Sequence, residues 1–197
     1  MEIPFQIAQS GHQILGMMHI PVSRKPDAPV VIMVYGLNGD RVDIHRLSVV
    51  FARSACRQGM TVVRFDFRGC GISSGEFFET SLGTKAEDLR SVLSFVRGCM
   101  QDESYRLVLL GYSDGIRVIE KVIATDGGVD MICTWNPVLT SMKRTFSSPD
   151  AKRTRLSLEP ATRKLVFPLF GVYMGVEYLS EVNEDLPLGK MLDLNIP

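Results

Sequence analysis

Apolar and polar residues alternate along this chain in blocks that predict strands and helices in turn. The first twenty residues have the pattern of a hairpin, with strands at 3–8 and 13–20. Four later segments are continuous apolar runs, which are typical of strands buried on both faces of a sheet. These runs lie at 30–35, 61–67, 107–110 and 129–135. Helical patterns separate the four runs, so the order predicts βαβ units and an α/β fold with a mostly parallel, doubly wound sheet.

Three helices are predicted between the strands. The first spans 44–59 and ends at Gly59. The second begins with Thr84-Lys-Ala-Glu87, a spacing that predicts a capping box with Thr84 as the first cap residue. The third follows the run at 107–110 and ends near Gly128. Together these elements predict a core over residues 1–138.

The chemistry-bearing motif is Gly111-Tyr-Ser-Asp-Gly115, which lies between a predicted strand and a predicted helix. A strand that runs into G-x-S-x-G and then into a helix is the pattern of a nucleophile elbow. The turn is so sharp that side chains on either side of the serine would collide, which explains Gly111 and Gly115. Ser113 is therefore the candidate catalytic residue, with the first amides of the helix directed at a substrate carbonyl.

Three further segments accompany this motif in a fixed order. They are Tyr35-Gly-Leu-Asn-Gly-Asp40, Arg64-Phe-Asp-Phe-Arg-Gly-Cys-Gly-Ile-Ser-Ser-Gly75 and Trp135-Asn-Pro137. With them the chain resembles the α/β-hydrolases of the serine esterase, acylpeptidase-like and thioesterase-like group over about residues 10–137. The resemblance implies hydrolysis of an ester or thioester bond in a small acyl substrate, without a cofactor or metal.

Carried over residue by residue, the resemblance implies roles for several positions. Ser113 matches the nucleophile, and the backbone amides of Leu37 and Asp114 match the oxyanion hole. Asp66 and Arg68 match residues that brace the loop beside the elbow. Tyr35 stands where the family often has a histidine. The Asp114 carboxylate follows the nucleophile directly, where it would either orient a polar substrate or face solvent.

The histidines depart from the family pattern. His12, His19 and His45 all precede Ser113, whereas the resemblance implies a catalytic acid and then a histidine after the nucleophile. We therefore expect a fold that lacks its last strands, with residues 191–197 as the start of a missing strand. Such a sheet would have an exposed edge through which two copies could associate.

Two alternatives to a hydrolase cut short remain open. One is a non-catalytic protein of hydrolase type that binds a small acyl ligand or a protein partner. In the other, His45 supplies a base from an unusual direction, with only Asp40 and Asp43 nearby in sequence. An exposed or capping histidine at the start of a helix is the simpler account of His45. His12 and His19 fall in the hairpin, where we expect a turn or surface role.

The segment at 139–190 changes in character, because basic residues are followed by an aromatic stretch broken by proline and then by acidic residues. One interpretation is a solvated helical excursion. The other is a helical lid over the strand ends, where α/β proteins bind ligands. In the lid, four aromatic side chains would partly face Ser113, namely Phe167, Phe170, Tyr173 and Tyr178.

Composition limits the classes of partner and the cellular location that we expect for this protein. The chain has 197 residues, 45% of them hydrophobic, and a formal net charge of zero, which argues against a nucleic-acid partner. The longest apolar stretch, at 165–176, is too short to span a bilayer, and the N-terminus does not resemble a signal peptide. Four cysteines at wide spacing predict reduced thiols in a cytoplasmic protein and no metal site.

Overall fold

A computed structural model describes residues 1–101, 103–139, 156–169 and 171–182. Its centre is a six-stranded sheet. In chain order the strands are β1 (Glu2–Gln9), β2 (His12–His19), β3 (Pro29–Val34), β4 (Thr61–Phe65), β5 (Arg106–Tyr112) and β6 (Met131–Trp135). In space they follow the order β1-β2-β4-β3-β5-β6.

The sheet is mixed but mostly parallel. Strands β4, β3, β5 and β6 are mutually parallel, with β5 between β3 and β6. The β1–β2 hairpin adds to β4 in antiparallel orientation. The predicted hairpin, the four strands and the α/β class are therefore confirmed, although β6 is half-buried to exposed and only β3, β4 and β5 are buried as predicted. Because β4, β3 and β5 are covered on both faces, their sequences are continuous apolar runs instead of alternating ones.

Helices cover both faces of the sheet. Helix α1 (Leu47–Arg57) follows a short 3₁₀ turn at Ile44–Arg46 and packs on one face. Helices α2 (Leu82–Cys99) and α3 (Gly115–Ile123) pack on the other face, where the larger core lies. The strands serve both cores by alternation, so Val31 and Met33 of β3 face α1 while Val30 and Ile32 face α2 and α3.

The start of α2 corrects one prediction. The helix begins three residues earlier than the sequence pattern predicted, and its cap is Ser81. The Thr84 amide donates to the Ser81 hydroxyl at 3.1 Å, and the Ser81 amide donates to the Thr84 hydroxyl at 2.8 Å. Threonine can fill the reciprocal position that glutamate usually takes in a capping box. Ser81 is therefore the N-cap residue of the capping box, and Thr84 is its N3 residue.

The described part of the segment at 139–190 was predicted to be helical, and this was wrong for most of it. It forms a three-stranded antiparallel sheet of β7 (Ser157–Leu158), β8 (Leu165–Leu169) and β9 (Val172–Gly175), followed by the one-and-a-half-turn helix α4 (Val176–Glu181). Runs rich in β-branched and aromatic residues, broken by glycine, favour a hairpin over a helix. Position 170 and the proposed strand start at 191–197 lie outside the described residues.

This second sheet packs at the carboxyl ends of the parallel strands. Strand β9 lies against the 3₁₀ turn Phe77–Glu79, which follows β4 and precedes α2. Gly175 approaches this turn so closely that a Cβ there would collide with the Phe78 carbonyl. Glu181, the last residue of α4, accepts a hydrogen bond from the Leu82 amide at the start of α2. Helix α4 is thereby held beside the carboxyl ends of the parallel strands, where Ser113 lies.

Candidate active site

Ser113 occupies the turn between β5 and α3. It directly follows Tyr112, the last residue of β5, and α3 begins two residues later at Gly115. Its backbone has a φ of 54°, in the left-handed region that non-glycine residues rarely adopt. Such strain is found where the surrounding structure fixes a functional residue. Ser113 therefore has the backbone geometry that its predicted role as nucleophile requires.

The two glycines of the motif are explained by close contacts. A Cβ at Gly111 would lie 2.9 Å from Ile119 Cδ1 and 3.3 Å from the backbone of Ile116, so a side chain there would crowd the start of α3 against β5. A Cβ at Gly115 would lie 2.8 Å from the Tyr35 carbonyl oxygen and closer still to the Val34 carbonyl. The absence of side chains lets α3 approach both its own strand and the end of β3.

The loop after β3 lies directly beside Ser113. A Cβ at Gly36 would come within 2.9 Å of Ser113 Cβ, 3.2 Å of Ser113 Oγ and 3.3 Å of the Asp114 amide nitrogen. Gly36 is followed by Leu37, so the structure brings together Ser113 and the two segments whose amides were predicted to form the oxyanion hole. The catalytic and oxyanion roles of these residues stay predictions.

The loop after β6 holds the backbone of Ser113 from the other side. The Ser113 amide donates to the Trp135 carbonyl at 3.0 Å, and the Val138 amide donates to the Ser113 carbonyl at 3.1 Å. Asn136, between them, has a φ of 49°. The Trp135-Asn-Pro137 segment thus clamps the strained turn, because both polar groups of the Ser113 backbone are satisfied by it.

Asp66 and Arg68 brace the neighbouring loop. The Asp66 carboxylate accepts hydrogen bonds from the Arg41 amide at 2.7 Å, from the Arg41 guanidinium and from the Ile72 amide at 3.0 Å. Arg68 donates to the buried Asp88 of α2 through Nε at 2.9 Å and Nη2 at 2.7 Å. These buried, multiply bonded pairs fit the bracing role that the resemblance implied.

Asp114 corrects a prediction, since its carboxylate neither faces solvent nor lines the cleft. The residue is 2% exposed. Its Oδ2 accepts a hydrogen bond from the Tyr178 hydroxyl at 2.9 Å, and its Oδ1 lies 3.1 Å from Arg117 Nε. Burial raises the pKa of this carboxyl, while the ammonium of Lys85 opposes the shift. Tyr178, one of the predicted lid aromatics, is thus joined to the elbow by its hydrogen bond to Asp114.

Lys85 of α2 is a further residue at this site, and its only signal in the sequence is that of a lysine within an amphipathic helix. Its side chain is fully buried. Nζ donates to the Leu37 carbonyl at 2.7 Å and the Tyr178 hydroxyl at 3.1 Å, and it lies 3.4 Å from the Gly36 carbonyl. Burial lowers the pKa of this ammonium, while Cys70, Asp114 and Asp88 oppose the shift.

Tyr35, where the family often has a histidine, points into the core. Its hydroxyl accepts a hydrogen bond from the Phe67 amide at 2.6 Å, which joins the ends of β3 and β4. Above it, a cleft of 560 Å³ is lined by the loop 35–40, by Asp43 and Ile44, and by Tyr112 and Ser113. This volume is sufficient for a small organic ligand.

Comparison with solved structures identifies the fold. Est1E from Butyrivibrio proteoclasticus, solved with bound ferulic acid, is 17% identical to the chain, with a TM-score of 0.70 over 91% of this chain and 70% of its own. The α/β-hydrolase GrgF from Penicillium sp. sh18 is 19% identical, with a TM-score of 0.64 over 100% of this chain and 68% of its own. The chain has the α/β-hydrolase fold. No protein-family model and no curated protein sequence matches it.

Est1E, GrgF and a further match, DcsB, are longer than this chain. DcsB, solved with a substrate analogue, is 22% identical, with a TM-score of 0.60 over 72% of this chain. The chain spans only 47% of the length of DcsB. At these identities the likeness shows the fold alone.

In the described structure, none of the three histidines contacts the Ser113 hydroxyl. His19 is buried in β2 and accepts a hydrogen bond from Arg64 Nε at 3.0 Å, which corrects the expected turn or surface role. His12 packs beside Gly75. His45 is exposed in the 3₁₀ turn before α1, whose cap is Asp43. Within the described ranges, no side chain is hydrogen-bonded to Ser113 Oγ. A histidine–acid pair lies elsewhere, in the β1–β2 hairpin, where His19 Nδ1 is 3.6 Å from Glu2 Oε1.

The described part of the chain contains neither a metal-binding cluster nor a membrane-spanning helix. It contains no cluster of three or more histidine, cysteine, aspartate or glutamate side chains that could hold a metal ion. No helix in these ranges is both long and apolar enough to cross a bilayer. All four cysteines are free thiols.

Proposed function

We propose that this protein is a serine hydrolase that cleaves acyl ester or thioester bonds through Ser113. The observation that carries the proposal is the strained backbone of Ser113 at the end of the interior strand β5, with the Asp114 amide and the Gly36–Leu37 loop beside its side chain. In this proposal the Ser113 hydroxyl and the Leu37 and Asp114 amides surround the carbonyl of the bound substrate. Acyl transfer needs a nucleophile and an oxyanion hole in that relation.

The chemistry follows from these groups. The Ser113 oxygen attacks the carbonyl carbon of the acyl group, and the carbonyl oxygen becomes an anion. The Leu37 and Asp114 amides donate to this oxygen, which lowers the barrier because they are already oriented. The tetrahedral species then expels the alcohol or thiol and leaves an acyl ester on Ser113, which water hydrolyses. A base must accept the proton of the hydroxyl.

The 197-residue chain holds the nucleophile and oxyanion part of this site. Within the described residues no base contacts Ser113 Oγ, so we expect slow acylation by reactive esters and little turnover. We further propose a small acyl substrate, on the basis of the cleft volume, and a cytoplasmic location, on the basis of the four free thiols. Self-association through the edge strand β6 also stays a proposal.

The test is site-resolved acylation. The chain is incubated with excess p-nitrophenyl acetate, and acetylated peptides are quantified by mass spectrometry. We expect acetyl groups to accumulate on Ser113 at least tenfold faster than on the exposed Ser54 of α1, since a positioned oxyanion hole retains roughly 10³-fold catalysis over water when its triad is removed. Equal labelling of the two serines would contradict the proposal.

One observation favours a second candidate, a non-catalytic protein that binds a small acyl ligand or a protein partner. None of the three histidines has a recorded contact with the Ser113 side chain in the described structure. If Ser113 labels no faster than Ser54, but short-chain acyl ligands still shift the NMR signals of the cleft loop 35–40, the binding function is supported.

A further inference from the structure

A buried lysine lies beneath the predicted oxyanion loop. The Lys85 ammonium is surrounded by the rings of Tyr35, Phe67, Phe77 and Tyr178, with Nζ 4.9 to 5.8 Å from their centroids. Burying an ammonium costs several kcal/mol unless polar groups replace its hydration. A leucine or methionine would fill the space without this penalty. The lysine therefore contributes something that packing does not, and its hydrogen bonds indicate what that is.

Its acceptors are the carbonyls of the loop next to Ser113. Nζ holds the Leu37 carbonyl at 2.7 Å and approaches the Gly36 carbonyl at 3.4 Å. The Gly36 carbonyl and the Leu37 N–H belong to one planar trans peptide, in which the two groups point in opposite directions. When the ammonium attracts the carbonyl toward the core, the Leu37 N–H is turned away from the core.

The same ammonium is connected to the second predicted donor. Nζ donates to the Tyr178 hydroxyl at 3.1 Å, and this hydroxyl donates to Asp114 Oδ2 at 2.9 Å. Asp114 caps α3 and carries the other predicted oxyanion amide. The hydrogen-bonded series Lys85–Tyr178–Asp114 therefore joins the loop after β3 to the start of α3 through a tyrosine of α4.

We propose that Lys85 and Tyr178 are positioning residues that align the Leu37 and Asp114 amides as a pair. The proposal rests on the function given above, in that these amides stabilise the oxyanion. It adds the means by which they are oriented, and it makes the segment β9–α4 a part of the active site. Neither residue touches the substrate in this account, and both act through backbone amides.

The test uses Tyr178→Phe, which removes one hydroxyl and keeps the ring, and Lys85→Met. Tyr173→Phe and Lys164→Met are the matched controls. Both residues lie in the chain segment that carries Tyr178, and they are more exposed, with Tyr173 39% exposed and the Lys164 side chain 54% exposed. The rate constant for acetylation of Ser113 should fall about 10- to 100-fold in Tyr178→Phe, since a misplaced oxyanion donor raises the barrier. The ester concentration at half-saturation should stay within about twofold, because ground-state binding does not use these amides.

A second measurement is independent of activity. ¹⁵N relaxation of the Leu37 and Asp114 amides should show order parameters falling from about 0.85 to below about 0.7 in Tyr178→Phe and Lys85→Met. The controls should leave both values unchanged. Unchanged order parameters in both test variants would overturn the positioning proposal. If the amides loosen but the parent chain never labels at Ser113, positioning is supported and the proposed function fails.

Discussion

Gly36 lies so close to Ser113 that no side chain fits between them. A Cβ at Gly36 would come within 2.9 Å of Ser113 Cβ and 3.3 Å of the Asp114 nitrogen. Contacts below 3.0 Å require a shift of one of the two backbones. Both are fixed, since Ser113 is clamped by Trp135 and the Gly36 loop is held by Lys85. The position of the predicted nucleophile thus depends on the glycine opposite.

We predict that Gly36→Ala lowers both stability and acylation. The free energy of unfolding in urea should fall by about 1–3 kcal/mol, the range for overpacking, and Ser113 labelling should fall at least tenfold. Gly98→Ala is the matched control, because a Cβ at that helical site meets no described atom within 4 Å. It should stabilise the chain by about 0.4–1 kcal/mol. Equal stability of Gly36→Ala and the parent would show that the loop adapts.

The strain at Ser113 gives a second prediction. With a φ of 54°, the serine pays a steric cost that glycine does not. Ser113→Gly should therefore raise the free energy of unfolding by about 1 kcal/mol relative to Ser113→Ala. Chemical denaturation of the two variants measures the difference. A Ser113→Ala variant as stable as Ser113→Gly would indicate that the turn relaxes once the hydroxyl is lost.

Ser113→Ala also tests the missing base. Without a base in contact, the hydroxyl stays protonated and weakly nucleophilic. Steady-state hydrolysis of p-nitrophenyl acetate by the 197-residue chain at neutral pH should be slow, and Ser113→Ala should change it less than about twofold. Single-turnover labelling of Ser113 is a separate and more sensitive measurement. Fast hydrolysis that depends on Ser113 would reveal a base outside the contacts described above.

His19 predicts a pH dependence of stability. Its pKa is lowered from 6.5 to about 4, first by burial and then by the charge of Arg64, while Glu2 opposes the shift. Arg64 Nε donates to His19 Nε2 at 3.0 Å, so the ring must be neutral to accept. Between pH 4 and 6.5 the unfolded chain binds a proton that the folded chain does not. The contribution of neutral His19 to the free energy of unfolding is therefore fully present above about pH 6.5, and it is lost as the pH falls toward 4.

The size of the effect is about 2–3 kcal/mol, from a shift of this extent. Urea unfolding should be measured at pH 7.5 and pH 4.5. The free energy of unfolding should fall less between these pH values for His19→Gln than for the parent, because glutamine keeps an acceptor and does not titrate. His45→Gln is the control, since His45 is exposed, and it should lose as much stability as the parent. Parallel pH profiles for parent and His19→Gln would contradict the prediction.

The Arg68–Asp88 pair predicts a large loss on removal of one partner. Asp88 is fully buried and accepts from the Arg68 amide as well as its guanidinium. Arg68→Met leaves a buried carboxylate uncompensated, which costs about 3–5 kcal/mol. Arg68→Met combined with Asp88→Leu should recover at least half of that loss. Arg53→Met, which removes an exposed pair with Glu2, should change stability by less than about 1 kcal/mol.

Much of the sheet could be predicted from the sequence because its signals are local. Strands β3, β4 and β5 are apolar runs of strand length, and the Gly111–Gly115 motif encodes its own turn through residues that are neighbours in the chain. The fold class and the position of Ser113 at a strand end follow from these patterns. The second sheet was missed because aromatic residues near proline and glycine were interpreted as a helical lid, whereas their spacing suits a hairpin.

The contacts around the site were decided by tertiary structure alone. Lys85 in α2 has the sequence of an ordinary amphipathic helix residue, and Asp114 that of a carboxylate free to meet solvent. Both are buried because Tyr178, 93 residues from Lys85 and 64 from Asp114, is packed between them. Periodicity reports which face of an element is apolar, but it carries no information on which distant side chain will cover a polar group. Burial and hydrogen bonding depend on that partner, so only the folded chain determines them.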